Sequence, residues 1–334
     1  LARSAQRQAG AVRWEPGEAC CPGMEGGYWH SATLVKDKVF MFGGFGLEAA
    51  VPDLFVLNTS TRRWCGLNNL PTSPPSPYYF HSANLVGTTL FVFGGWGSAN
   101  AASQAAVVTL DTQSLRWAPL SGVTGTPPPV DLVSHTGTVV GTRIYVVGGM
   151  IGGAAAVGVQ AGSLNRDVYV FDTATRVWSR VETVGDPPPG RYGHTTLLYG
   201  SKLVVFGGRD TPTTSTVEAL HDVCLLDVVD HRWEYPTVTG ADPPRQAAYH
   251  GACVVGHHLL VFGGGALRQQ HLRVSALDLD TMTWTEPRVL GTPPLRRFGQ
   301  SCTLVGSTVY VIGGMQVFRS KLSIDRSVYA VDVS

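Results

Sequence analysis

Ten histidines and six cysteines are the side chains with which this chain could hold a metal, carry a redox step or activate a nucleophile. The cysteines are Cys20, Cys21, Cys65, Cys224, Cys253 and Cys302, and no two have C-x-x-C spacing. The adjacent pair Cys20–Cys21 is poorly placed for an internal disulfide. Cys224, Cys253 and Cys302 stand among apolar residues, where a free thiol acts as a small hydrophobe. Such usage fits a reducing compartment, and a cytoplasmic location is the expectation. Five histidines, His30, His81, His135, His194 and His250, occupy one recurring position, which spreads them apart instead of gathering them. His257-His258 falls in a turn on the side opposite His221 and His271, so these cannot form one cluster. Glycine pairs end strands without G-x-G-x-x-G or GK[ST] spacing before a helix, and no G-x-S-x-G elbow is present. The expectation is a protein without catalytic residues, cofactor or metal.

What remains is the chemistry of recognition. Tryptophan and tyrosine bury much area at little entropic cost, and arginine pairs with carboxylates through two parallel hydrogen bonds. Tyr28, Trp29, Phe45, Tyr78, Tyr79 and Trp96 gather in the first third of the chain, with Phe80 beside them. Arg191, Arg209, Arg245, Arg297 and Arg319, with Arg268, Arg296 and Lys321, lie in the second half. Either set could dock a partner, or the aromatics could pack loops and the arginines pair with neighbours such as Asp186, Asp210 or Asp242.

The elements that must position these residues repeat. Gly-Gly follows a short apolar run at Gly43, Gly94, Gly148, Gly207, Gly263 and Gly313, in steps of 51, 54, 59, 56 and 50 residues. Thirteen residues earlier stands a histidine, or Gln300 in the last copy. A tryptophan precedes each pair by 29 to 31 residues: Trp14, Trp64, Trp117, Trp178, Trp233 and Trp284. A period near 50 residues indicates a propeller with four strands per blade. In the fourth copy these are His194 to Tyr199, Lys202 to Phe206, Asp222 to Asp227 and Arg232 to Tyr235, with Pro243-Pro244 marking the crossing to the next blade. The glycine pair is expected to leave a gap that the fourth-strand tryptophan fills. The last copy ends at Ser334 without a tryptophan strand, and Trp14 has no earlier blade to join. Residues 11–18 are therefore expected to complete the sixth blade.

The segments GRYGHTTLLYGSKLVVFGG, DVYVFDTATRVW and DVCLLDVVDHRW resemble the kelch repeat over essentially the whole chain. The fold implied is all-β: a six-bladed kelch β-propeller of four antiparallel strands per blade. The blades span 28–66, 79–119, 133–180, 191–236, 247–287 and 298–334 plus 11–18, with 1–10 as an N-terminal extension. Gln300 departs from the repeat's histidine and Asn58 from its aspartate. The resemblance implies a protein-binding module, since kelch propellers serve as ubiquitin-ligase substrate receptors, actin binders, Rab effectors and subunits of larger assemblies. Kelch-like copper oxidases need a Tyr–Cys crosslink with two converging histidines, and no such set stands out. The E-x-x-x-D-x-x-x-H spacing of iron-dependent nitrile-specifier relatives is met at Glu218 and Asp222 but fails at Leu226.

In a four-stranded meander, the two-to-three loops and the blade connections share one face, and the short hairpin turns share the other. The long loops 150–166, 209–221 and 315–326 mark the first face as the binding surface. Arginines at the start of inner strands would ring the channel mouth there, which would suit an acidic peptide or a C-terminal tail. The balance of 25 basic and 24 acidic residues argues against nucleic acid, and no apolar run is long enough for membrane insertion. The start at Leu1 fits an upstream targeting segment that has been removed or left out. The leading expectation is a scaffold or adaptor subunit of a hetero-complex. A ubiquitin-ligase substrate receptor is the alternative, although the 334 residues hold no BTB or cullin-binding box. A metal-dependent oxidase or lyase is the alternative of another class. A ciliary, cytoskeletal or organellar assembly fits the charge balance equally well.

Overall fold

The computed structural model describes residues 11–15, 27–46, 54–67, 70–73, 79–97, 107–152, 163–211, 219–244, 247–266, 269–270, 274–318, 321–325 and 327–334. Among them every regular element is a strand, and no helix is long and apolar enough to cross a membrane. Six sheets each contain four antiparallel strands in meander order. The second and third strands are near-continuous apolar runs. Lys202–Phe206 (KLVVF) and Val223–Asp227 (VCLLD), for example, are buried at all but their first and last residues respectively. Both faces of such strands must be covered, and the flanking blades cover them.

The ring closes through its two ends. Val12–Trp14 pairs antiparallel with Val328–Asp332, matching Arg13 with Asp332 and Trp14 with Val331. Asn58 keeps the function of the aspartate it replaces. Its Oδ1 accepts from the amides of Ser60 and Thr61 at 3.1 and 2.9 Å, as Asp172 Oδ1 accepts from Ala174 and Thr175.

One packing expectation is corrected. The fourth-strand tryptophan does not fill the space beside the glycine pair; in four blades it packs on the aromatic ring that precedes the pair in the neighbouring blade. Trp117 lies 4.7 Å from Phe42, Trp178 5.2 Å from Phe93, Trp284 5.1 Å from Phe206 and Trp14 6.1 Å from Phe262. The glycine gap is taken by the next blade's inner segment. A methyl on Gly148 would lie 2.5 Å from His194 Cε1 and 2.6 Å from the Arg191 carbonyl oxygen.

Another feature lies in the connections. Thr124–Gly125, Thr239–Gly240 and Val289–Leu290 each add a short parallel strand outside the tryptophan strand of the following blade. A Val184–Arg232 bridge does the same for the fourth blade. A Cβ at Gly125 would run into the Trp178 carbonyl, so only glycine permits this approach. The connections thereby cover edges that would otherwise be open to pairing.

Candidate functional site: the cup at the channel mouth

Six residues, each just before an inner-strand histidine or its substitute, define the mouth of the channel: Trp29, Phe80, Ser134, Gly193, Tyr249 and Gly299. All have left-handed backbones, with φ between 53 and 69°. Each amide donates to the carbonyl of its counterpart in the preceding blade. The bonds run Trp29 to Gly299 (2.9 Å), Phe80 to Trp29 (3.2 Å), Ser134 to Phe80 (3.0 Å), Gly193 to Ser134 (3.2 Å), Tyr249 to Gly193 (2.7 Å) and Gly299 to Tyr249 (2.8 Å). The result is a closed hydrogen-bonded ring. Left-handed backbone costs a non-glycine residue about 1–2 kcal/mol. One hydrogen bond per residue offsets a cost of that size.

The ring decides where its side chains go. Trp29, Phe80 and Tyr249 turn inward over the axis, with Trp29–Phe80 centroids 4.1 Å apart and Tyr249 5.7 Å from each. Gly193 and Gly299 leave room for this plug: a methyl on Gly299 would sit 3.0 Å from Trp29 Cδ1, and one on Gly193 3.2 Å from the Tyr249 ring. Beneath and around the plug lies a small cavity of about 130 Å³, lined also by the histidine tier.

The histidines form a latch between blades. His30 Nε2 shares a hydrogen bond with Ser301 Oγ, His81 with Ser31, His135 with Ser82, His194 with Thr136 and His250 with Thr195, at 2.8 to 3.1 Å. Each hydroxyl belongs to the residue that follows the histidine position one blade earlier. Burial pushes His30, His135 and His250 down to about 4, His81 to about 3 and His194 well below its ordinary value. They are neutral, and Nε2 of each is engaged.

Around the plug, the first and second strands continue past the glycine pair as isolated bridges: Tyr28 with Phe45, Tyr79 with Trp96, Val133 with Met150 and Tyr192 with Arg209. Tyr28 and Tyr79, expected as surface anchors, are each only 6% exposed. Trp29, at φ +58°, takes the inward direction, and Tyr28 and Tyr79 become the platform beneath. Trp29, Phe45 and Trp96 are half-buried and keep one side open.

The arginines divide. Arg191 and Arg297 are 1% exposed, which corrects their placement as free guanidiniums at the channel mouth. Arg191 makes two 2.8 Å bonds to the Asp222 carboxylate and one of 3.0 Å to the Gly207 carbonyl. Arg297 repeats this with Asp325 (2.6 Å) and the Gly313 carbonyl (3.0 Å), its guanidinium 4.6 Å over the Tyr329 ring. Burial pushes both carboxyls upward, but the arginine contacts prevail and hold them below the ordinary range. Arg209 differs. It is half-buried beside Tyr192, no carboxylate pairs with it among the described residues, and its buried Nε has no partner there. Its charge acts on the Tyr249 hydroxyl, so it belongs to the cup. Tyr78, Arg245, Arg268 and Arg319 lie outside the described residues.

The cup thus offers half-open aromatic surface and, at Arg209, a guanidinium with no carboxylate partner among the described residues. Such a surface can seat an apolar or aromatic side chain and pair with a carboxylate close to it. Tyr192 and Tyr249 belong to it and were not singled out by sequence; the signal was available, because Tyr249 holds the register of Trp29 and Phe80 one residue before the repeat histidine.

Comparison with known proteins agrees with this architecture. The family model of the KLHDC2/KLHL20/DRC7 Kelch-repeats domain matches residues 11–155 and 134–333. Human host cell factor 1 is 28% identical over 323 residues, covering 87% of this chain and 15% of the relative. Adagio-like protein 1 of Oryza sativa subsp. japonica is 29% identical over 307 residues, covering 86% of this chain and 46% of the relative. Acyl-CoA-binding domain-containing protein 4 of Arabidopsis thaliana is 27% identical over 248 residues, covering 72% and 35%. The chain therefore spans less than half the length of these relatives. With the repeat, the closed ring of sheets and this match over nearly its full length, the chain belongs to the KLHDC2/KLHL20/DRC7 kelch-repeat family.

Proposed function

We propose that this propeller is a non-enzymatic docking module, a scaffold or adaptor subunit that holds a protein partner through the cup on its long-loop face. The observation that supports this most is that the central aromatic plug is flanked by half-buried Phe45 and Trp96 in the first two blades and, in the fourth, by Arg209, a guanidinium whose Nε is buried without a partner among the described residues. Those groups fit a partner segment carrying an apolar side chain beside a carboxylate, such as an acidic peptide or a C-terminal tail. The ring and the histidine latch hold the cup rigid before the partner arrives, which lowers the ordering cost of binding.

The test is a pull-down with mass spectrometry that compares wild type with Trp96→Ala and Arg209→Ala. Both residues border the cup without belonging to its hydrogen-bonded ring, so the fold is expected to survive. Loss of the same stoichiometric partner in both variants supports the reading, and the partner's identity separates an assembly subunit from a ubiquitin-ligase receptor. Partners retained by both variants at wild-type levels would place docking elsewhere.

A further inference from the structure

The geometry points to a binding site for a divalent transition-metal ion with the preferences of zinc, formed by His257, His258 and Asp278 on the short-turn face of the fifth blade. It is independent of the cup, lying at the other end of the inner strands. His258 opens His258–Phe262 and pairs across the sheet with Asp278, the last residue of Val274–Asp278. His257 is the turn residue before it, its carbonyl held at 2.8 Å by the Leu279 amide. The two imidazole centroids are 4.1 Å apart, tilted by 39°, and His257 Nε2 lies 3.7 Å from Asp278 Oδ2. One donor atom from each of the three residues lies within 4.8 Å of the others. All three side chains are half-buried, so the hairpin orders them while solvent can still deliver an ion.

The other blades show what this position ordinarily does. The two residues equivalent to His257-His258 are Asp37-Lys38, Thr88-Thr89, Thr142-Arg143, Ser201-Lys202 and Ser307-Thr308. Opposite the second of each stands Asn58, Asp111, Asp172, Asp227 or Asp332. In the third blade the cation at this position reaches the opposing carboxylate, with Arg143 Nε 3.5 Å from Asp172. The fifth blade sets two imidazoles in that place. Unlike the guanidinium of arginine, imidazole carries a nitrogen lone pair that can bind a metal ion. Asp278 has Oδ1 committed to the amides of Asp280 and Thr281, both at 2.9 Å, which leaves Oδ2 facing the imidazoles. Two nitrogens and one carboxylate oxygen suit zinc, nickel or copper far better than calcium or magnesium, which take oxygen ligands. Three protein ligands leave a position for water. The bound ion would supply the charge that Arg143 supplies to Asp172 in the third blade, and would tie the inner hairpin to the end of the third strand.

The test is calorimetric titration of chelator-treated full chain with zinc chloride, for wild type and for His257→Thr/His258→Thr. The double variant copies the Thr88-Thr89 hairpin of the second blade, a sequence the same turn already accepts. The expected result is one zinc bound by wild type that the variant binds about 100-fold more weakly or not at all. Cobalt provides a second readout: d–d absorption bands of a low-symmetry nitrogen–oxygen site in wild type, lost in the variant. Superimposable zinc titrations of the two proteins, or no zinc uptake by wild type at micromolar concentration, would overturn the assignment.

Discussion

Acid should dismantle this propeller through its histidine latch, in a pH range where the carboxylates are still ionised. In the unfolded chain each latch histidine titrates near 6.5, whereas in the fold His30, His135 and His250 are held at about 4 and His81 at about 3. Below pH 6.5 the unfolded state therefore binds protons that the folded state refuses. Stability is complete above 6.5 and falls as pH drops toward the folded values. One pH unit is about 1.36 kcal/mol per group, so at pH 4.5 each of these four histidines has lost about 2.5 kcal/mol. Their joint loss, about 10 kcal/mol, is comparable to the whole stability of an ordinary domain. Asp222 and Asp325 do not contribute in this window, because both titrate below the ordinary carboxylate value. The discriminating variant is His81→Gln, which installs the residue found at Gln300. At pH 7.5 it should lose about 1 kcal/mol with the Ser31 hydrogen bond. At pH 4.5 it should be the more stable protein, since it has no proton to gain, and the two curves should cross between about pH 5 and 6. Urea unfolding followed by far-UV circular dichroism at pH 7.5, 6.0, 5.0 and 4.5 measures both. Wild-type stability that stays flat to pH 4.5, or a variant curve that runs parallel to wild type, would refute the reasoning.

Two further outcomes follow from the packing. Trp14→Ala removes a 4% exposed ring that packs edge-on against Phe262 and Tyr329 where the two chain ends meet, and should cost about 3–5 kcal/mol, read as a fall in the thermal midpoint. The two buried arginines should rank by the burial of their partners: Arg297→Met leaves Asp325, 8% exposed, without its cation and should cost about 3–5 kcal/mol. Arg191→Met leaves Asp222 at 39% exposure, where water can compensate, and should cost visibly less in the same thermal scan. Equal losses would mean that the carbonyl bonds to Gly207 and Gly313, and not the ion pairs, dominate both sites.

The strand order and the closure through Trp14 were legible because they depend on residues at fixed spacing: Gly-Gly, a histidine and a tryptophan recur in one register, and only one arrangement pairs a chain missing its last strand with one extra at its start. The site was less legible because one backbone angle governs it. Left-handed residues such as Trp29 and Gly193 interrupt strand alternation just before the inner strands. Alternation therefore cannot say that Tyr28 turns under the surface while Trp29 turns inward. Arg191 fails for the same reason. The regular inner strand starts at Thr195, and Arg191 precedes the left-handed Gly193. Its side chain runs back to Gly207 and Asp222 instead of out to the channel mouth.

Gln300 looked like a harmless exception and is the consequence of another residue. Each latch histidine needs a hydroxyl one blade earlier, and for position 300 that place is held by Gly251. A serine cannot stand there, since any Cβ on Gly251 would strike Cys302 Sγ. A histidine at 300 would therefore bury an Nε2 with no hydroxyl to meet, a cost of about 1–3 kcal/mol. Glutamine solves this by a different route, its amide donating to the Phe262 carbonyl at 2.8 Å within the same interblade space. The departures at Gly251 and Gln300 and the bulk of Cys302 are thus one structural decision, and replacing Gln300 alone by the repeat's histidine should destabilise the ring it superficially restores.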